Sequence, residues 1–304
     1  MISSSLILVA TAMVTSASVL SRLQLRQRMI DGHTEIIAHL GYPTHAFKAP
    51  LIYNPYFEQA GINAVVVPMA VKAEDYAGVL SSLFRLANTR GALVTMPHKV
   101  ATADLVDELT PTARIAGACN AVRRGSDGRL LGDMFDGAGF VRGVQRKGLE
   151  LKGIRALVVG SGGVGSAIAA SLAAEGIGEL GLHDVNRAVA EGLATRLRQH
   201  YPTLQVSTGS SDPEGFDLVV NATPLGMSDG DALPLDVSRL AATTFVGEVV
   251  MRQDMTALLR AARERGCPIQ VGTDMLFEQI PAYLEFFGLP STTPEHLRSL
   301  AKLS

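Results

Sequence analysis

Three groups of residues in this chain have the types and spacing that chemistry requires. The first is Gly160-Ser161-Gly162-Gly163-Val164-Gly165, a G-x-G-x-x-G loop that follows the apolar run Ala156-Leu157-Val158-Val159 and opens a small-residue stretch. Between a strand and a helix such a loop binds a dinucleotide. The first glycine allows the tight turn, the second lets backbone approach a pyrophosphate, and the third lets helix and strand pack closely. The helix N-terminus then offers N–H groups and partial positive charge to the phosphates. A bare glycine pattern also occurs in plain connections. Here the next apolar run ends on Asp184, about 20 residues past the loop, where a carboxylate accepts the ribose hydroxyls.

The other two groups lie upstream. Val94-Thr95-Met96-Pro97-His98-Lys99 reads as a strand stopped by Pro97, so His98 and Lys99 sit on a loop at its carboxyl end, where open α/β sheets bind ligands. Gly132-Asp133-Met134-Phe135-Asp136-Gly137 brings a carboxylate to the start of a helix through Phe140 and Val144. Taken singly, each has a plainer reading: Lys99 as a solvated loop lysine, His98 as local packing, Asp136 as a helix N-cap. Taken together, an amine and a carboxylate can handle the hydroxyl proton that an alcohol gives up as hydride leaves. The residue types assign that work to the pair and not to either member.

These groups need a scaffold, and the chain supplies alternating short apolar runs and helical segments, the pattern of a mostly parallel α/β layer. Strands are expected at residues 36–40, 64–67 and 92–95, with helices at 50–60 and 74–87 stopped by Gly61 and Gly91. Another helix begins near Val100. Beyond the glycine loop, strands are expected at 204–207, 216–221, 245–250 and 269–271, and helices at 255–265, 275–287 and 295–303.

At 304 residues, with 47% hydrophobic and 18% charged, the chain has room for two domains with ample cores. A net charge of -2 without a basic stripe excludes a nucleic-acid footprint. Cys119 and Cys267 lack metal-ligand spacing and read as reduced structural thiols of a cytoplasmic protein, with no metal site. Residues 2–20 are apolar but broken by serine and threonine, and their arginines follow instead of preceding them, so they suit neither a secretory signal nor a membrane span. Residues 1–28 are expected to be an extension outside the fold, with Met29 as the start.

The residues resemble the shikimate dehydrogenase family from about Gly41 to Gly288. Gly41-Tyr42-Pro43 with Lys48-Ala49-Pro50 looks like the entry of the substrate domain, and Val94 to Lys99 like the segment bearing the catalytic lysine. Gly117-Ala118-Cys119-Asn120 resembles the segment with a substrate-binding asparagine, and Gly132 to Gly139 the one whose second aspartate is catalytic. Val220-Asn221-Ala222-Thr223-Pro224-Leu225-Gly226-Met227 is similar to a cofactor-domain loop, and Gly272, Met275, Leu276 and Gln279 to the last substrate-contacting helix.

The resemblance implies an α/β protein with a Rossmann-type cofactor domain at 136–271, a smaller substrate-binding domain at 29–135, and helices at 272–304 returning to the latter. Lys99 and Asp136 would be catalytic, with Thr95, Asn120 and Gln279 on the substrate. Gly160 to Gly165, Asp184, Asn186, Arg187, Asn221 to Pro224 and Gly272 would hold the cofactor. Departures fall in the pocket: Phe47 and Ala49 stand where the family places two serines, Leu93 replaces an asparagine, Ala121 a threonine and Met251 a tyrosine. Lys48 is expected to point outward. Family members that use NADP carry Asn-Arg-Thr after the second strand, whereas this chain has Asp184-Val185-Asn186, so NAD is the expected cofactor despite Arg187 nearby. The expectation is a monomeric or homodimeric oxidoreductase acting on a ring hydroxyl or ketone of a small molecule. Its alternatives are a true shikimate or quinate dehydrogenase with a rebuilt carboxylate site, or an idle metabolite-binding paralogue.

Overall fold

The computed structural model describes residues 30–303, so the expected extension over 1–28 and the start at Met29 lie outside the described residues. The chain divides after Thr34. Before that point, the Thr34 N–H donates to the Asp31 carbonyl and the Asp31 N–H to Thr34 Oγ1 in a single turn.

From Glu35 onward two sheets follow one another. The first uses β1 (Glu35–Gly41), β2 (Ala64–Ala70), β3 (Thr89–Val94), β4 (Glu108–Leu109), β5 (Ala121–Arg124) and β6 (Leu130–Asp133), in the order β2-β1-β3-β5-β6-β4. Its helices are α1 (Ala49–Ala60), α2 (Tyr76–Leu83), α3 (Lys99–Ala103) and α4 (Pro111–Ala116). β1 sits between two parallel neighbours and is covered on both faces, which is why Ile37, Ala38 and Leu40 form a nearly continuous apolar run. β5 runs antiparallel to β3 and β6, so the sheet is mixed. The turn between β5 and β6 carries Asp127-Gly128, with Gly128 at φ +83°, a hairpin signal that the reading of short runs overlooked.

α2 is shorter than expected and Gly91 does not stop it. The helix ends at Leu83, whose carbonyl is taken by the Thr89 hydroxyl at 2.9 Å. Gly91 lies inside β3, where a side chain would meet the Phe287 ring at 2.4 Å.

α5 (Asp136–Arg146) leads into the second sheet. Its strands are β7 (Arg155–Val159), β8 (Glu179–His183), β9 (Gln205–Thr208), β10 (Leu218–Asn221), β11 (Phe245–Glu248) and β12 (Ile269–Gln270). The order is β12-β11-β10-β7-β8-β9, parallel at every pairing. That is the doubly wound Rossmann order, with its switch point between β7 and β10. The helices are α6 (Gly163–Ala174), α7 (Arg187–His200), α8 (Ala257–Glu264), α9 (Gly272–Phe286) and α10 (Pro294–Leu300).

Two apolar clusters matter for the site. Phe140 and Val144 of α5 join Val158, Ile168 and Leu193 in the second half, while Phe277, Ile280 and Tyr283 of α9 join Ile37, Phe57 and Leu93 in the first. Each such buried side chain contributes about 1.5–3 kcal/mol. α5 approaches its neighbours closely: a side chain at Gly137 would lie 2.1 Å from the Ala167 carbonyl oxygen of α6, and one at Gly139 2.7 Å from the Met275 carbonyl oxygen of α9. No helix among the described residues is long and apolar enough to cross a membrane.

Candidate active site

At the carboxyl ends of β1 and β3 the Thr95 N–H donates to the Leu40 carbonyl and the Tyr42 N–H to that of Met96. Lys99 begins α3 here, and its Nζ lies 2.5 Å from Asp136 Oδ2, with only 17% and 6% of the two side chains exposed. Asp136 is therefore not an N-cap: Phe135 holds that position, and the carboxylate faces inward. Its other oxygen accepts from Asn120 Nδ2 at 2.9 Å, and Asn120 Oδ1 accepts the Phe135 N–H. Asn120 thus ties the carboxylate to the backbone that positions it. His98 is packing, as its plainer reading held: its ring stacks on Tyr76 at 3.9 Å and Nε2 meets the Val71 carbonyl at 2.8 Å.

The remaining substrate-side residues fall unevenly around this triad. Phe47 lies over the end of β1, so close that a side chain at Gly41 would meet its ring at 2.7 Å and Thr95 Cγ2 at 2.5 Å. Gln279 is buried on α9 beside Gly139, with Oε1 unpaired. Ala49 is buried in the first turn of α1, Leu93 belongs to the apolar core, and Met251 is half-buried against the second core. Lys48 does not point outward. Its Nζ donates to the Met251 carbonyl at 2.9 Å, because a lysine beside that free carbonyl gains a partner while its stem stays packed.

His39 was missed, since it stands inside an apolar β1 run that reads as core. Its ring stacks on Phe47 with centroids 4.0 Å apart, and Nδ1 is buried without a partner. Burial, helped by the Lys99 charge, pushes the imidazole down to about 4. Burial likewise raises the Cys119 thiol to about 12, which leaves it unreactive.

The glycine loop fits a dinucleotide. Gly160 has φ +100°, and a side chain at Gly165 would fall 1.9 Å from the Gly160 carbonyl oxygen. Nothing lies within 4 Å of a side chain built on exposed Gly162, the open cradle that a pyrophosphate needs beside the first turn of α6, Gly163 and Val164. The Ser161 N–H donates to Asp184 Oδ2 and the Asn186 N–H to Oδ1, both at 2.8 Å. Across the switch point Asn221 Oδ1 accepts from the Thr223 N–H and hydroxyl, and Nδ2 donates to the Leu225 carbonyl, which shapes the Ala222-Thr223-Pro224 turn. Gly272 is required where α9 starts, since a side chain would meet the Val250 carbonyl oxygen at 2.0 Å. Sequence reading also passed over Glu248. It is fully buried, accepts from the Thr256 hydroxyl through Oε2, leaves Oε1 unpaired, and is pushed up to about 7 by burial.

A model of the shikimate dehydrogenase substrate-binding domain matches residues 40–122. A shikimate dehydrogenase (NADP(+)) of Rubrobacter xylanophilus is 39% identical over 82% of this chain and 89% of its own length. This chain belongs to the shikimate dehydrogenase family. A further family relative, the shikimate dehydrogenase (NADP(+)) of Paramagnetospirillum magneticum, is 34% identical over 89% of this chain and 99% of its own. Among solved structures, shikimate 5-dehydrogenase of Listeria monocytogenes with shikimate and NAD has a TM-score of 0.82, 26% identity, and coverage of 90% of this chain and 98% of that one. Ligand-free 5-ketofructose reductase of Gluconobacter sp. strain CHM43 has a TM-score of 0.80, 25% identity, and coverage of 89% and 98%.

Family membership corrects the cofactor. The relatives at 39% and 34% identity are NADP(+) enzymes, which overturns the expectation of NAD. That expectation rested on Asp184 repelling a 2′-phosphate, but both carboxylate oxygens already accept backbone N–H groups. Arg187, discounted as merely nearby, is a largely exposed cation at the first residue of α7.

Proposed function

We propose that Lys99 and Asp136 are the proton-handling pair of an NADP(H)-dependent oxidoreductase that interconverts a ring hydroxyl and a ketone of a small molecule. The observation that carries this reading is the buried contact of Lys99 Nζ with Asp136 Oδ2, braced by Asn120 beyond the carboxyl end of β3. When bound, the dinucleotide supplies hydride acceptance or donation. Gly160 to Gly165, Asp184, Asn186, Arg187, Asn221 to Pro224 and Gly272 would hold it. The Nζ and Oδ2 atoms pass the hydroxyl proton between substrate and solvent, while Asn120 keeps the carboxylate aimed at the lysine. Thr95 and Gln279 orient the substrate, the unpaired Gln279 Oε1 being free for a substrate hydroxyl.

The division at residues 29–135, 136–271 and 272–304 into substrate domain, cofactor domain and returning helices is part of this proposal. It is supported by the packing of α9 against the first sheet's core. A reducing, cytoplasmic setting is supported by two buried, unpaired thiols. A monomer or homodimer is the proposed assembly.

The test is turnover by Lys99→Ala and Asp136→Ala. Each should lose about 10²- to 10⁴-fold in rate, the usual share of a general acid or base, while NADP(H) affinity stays within a few-fold of wild type. Near-normal rates in both variants would remove the assignment.

A further inference from the structure

Glu248 is a buried acid to which the proton-handling reading gives no work. It ends β11, fully buried and in register with Asn221, the last residue of β10, so the two side chains stand one strand apart on the same face of the sheet. Asn221 shapes the cofactor turn: Oδ1 accepts from the Thr223 N–H and hydroxyl, and Nδ2 donates to the Leu225 carbonyl. That last bond uses one of two amide hydrogens. On the other side Thr256 donates its hydroxyl to Glu248 Oε2 at 2.9 Å, caps α8 by accepting the Leu259 N–H, and sets its methyl 3.2 Å from where a side chain at Gly226 would stand. The turn from Asn221 to Gly226 is thus flanked at both ends by neighbours of one carboxyl group.

Only the charged form of that group serves both neighbours fully. Each carboxylate oxygen accepts, so Oε2 can keep Thr256 while Oε1, buried without a partner, is open to the second Asn221 hydrogen. The neutral acid spends one oxygen as a donor, facing an amide that also donates. Burial pushes the carboxyl up to about 7, against the Thr256 hydroxyl and the Asn221 side chain, which both favour the charge. No charged group enters this balance. On α8 Arg260, Arg263 and Glu264 are exposed, as are Arg252 and Asp254 on the segment before Thr256. Asp231, beyond the turn, accepts the Gly226 and Ser228 N–H groups, and β12 brings Ile269 and Gln270, neither of which titrates.

We propose that Glu248 is a positioning residue for the dinucleotide: as a carboxylate it accepts from Asn221 and Thr256 together and so fixes the turn that holds the cofactor. Being fully buried, it acts through Asn221 and touches no cofactor atom. The inference rests on the reading that Asn221 to Pro224 hold the dinucleotide.

Fluorescence titration of the full chain with NADPH, in half-unit steps on both sides of pH 7, tests it. Wild-type affinity should tighten about tenfold as pH rises through that range, the worth of one hydrogen bond to a charged group. Glu248→Gln, with one acceptor oxygen for two donors, should stay at the weak level throughout. Titration of the 2′-phosphate and of other groups is common to both proteins and cancels in the ratio of their dissociation constants. Thr256→Val keeps the methyl against Gly226 and removes a donor that favours the charge, so its midpoint should move to higher pH; it stands in if the glutamine variant does not fold. A ratio of wild type to Glu248→Gln that is the same at every pH, which a merely structural glutamate would give, overturns the proposal. An unmoved midpoint in Thr256→Val does the same. Failure of the underlying reading looks different: Asn221→Ala would then bind NADPH as tightly as wild type at every pH, and a wild type that binds no NADPH would remove both.

Discussion

Two buried groups make opposite demands on stability as pH changes, and the apo protein should show it only when they are separated. Glu248 is raised from 4.5 to about 7 in the folded protein. A carboxyl so raised binds its proton more tightly when folded, so its contribution is fully present below pH 4.5 and is lost as pH rises through 7. His39 is lowered from 6.5 to about 4. Its contribution is present above pH 6.5 and is lost as pH falls through 4. At 1.36 kcal/mol for each pH unit of displacement, each is on the order of 3 kcal/mol across nearly the same window. The two slopes therefore largely cancel in the wild type between pH 4.5 and 6.5. Glu248→Gln, which keeps an acceptor for the Thr256 hydroxyl, should expose the histidine slope, with stability rising toward neutrality. His39→Phe should expose the glutamate slope, with stability falling over the same range relative to wild type, and the double variant should lie between the two single variants. Urea denaturation at half-unit pH intervals measures all four. Parallel pH profiles for the two single variants would refute the reasoning, whatever their absolute stabilities.

Three further outcomes follow from the geometry. Gly162→Ala should fold as wild type, since its side chain enters open space, yet bind NADP(H) about tenfold or more weakly by filling the phosphate cradle; isothermal calorimetry and a thermal melt separate the two effects. Gly165→Ala should instead lower the melting temperature, because its side chain meets the Gly160 carbonyl. Arg187→Ala should weaken NADP(H) by about tenfold, the loss of one charge-assisted contact, and leave NAD(H) affinity almost unchanged. Fluorescence titration with both cofactors checks this, and equal effects on the two would mean that the arginine does not face the 2′-phosphate.

The glycine loop could be read from sequence because each glycine answers a local question: a positive φ at Gly160, a clear approach at Gly162, a helix against a strand at Gly165. Lys99 and Asp136 were legible by type, while their contact depends on Asn120 and on where α5 enters. What sequence reading lost was set by tertiary partners. Gly91 looks like a helix stop until Phe287 crosses it, and Lys48 looks solvated until the Met251 carbonyl is brought to it from 203 residues away. His39 and Glu248 sit in runs of apolar neighbours, where one polar residue carries no period of its own. Asp184 was weighed for ribose hydroxyls and for its charge, while its two oxygens also accept the Ser161 and Asn186 N–H groups.

α5 gives the pair an unusual dependence. Lys99, Asn120 and Asp136 all come from the first half of the chain, yet the helix that carries Asp136 is seated by glycine contacts with α6 and α9, from later in the chain. A ribosome that has released residues 1–146 has therefore made every member of the triad without making the triad. The carboxylate already has Asn120 as a partner by then, but the helix that carries it gains its seat only when α6 and α9 arrive.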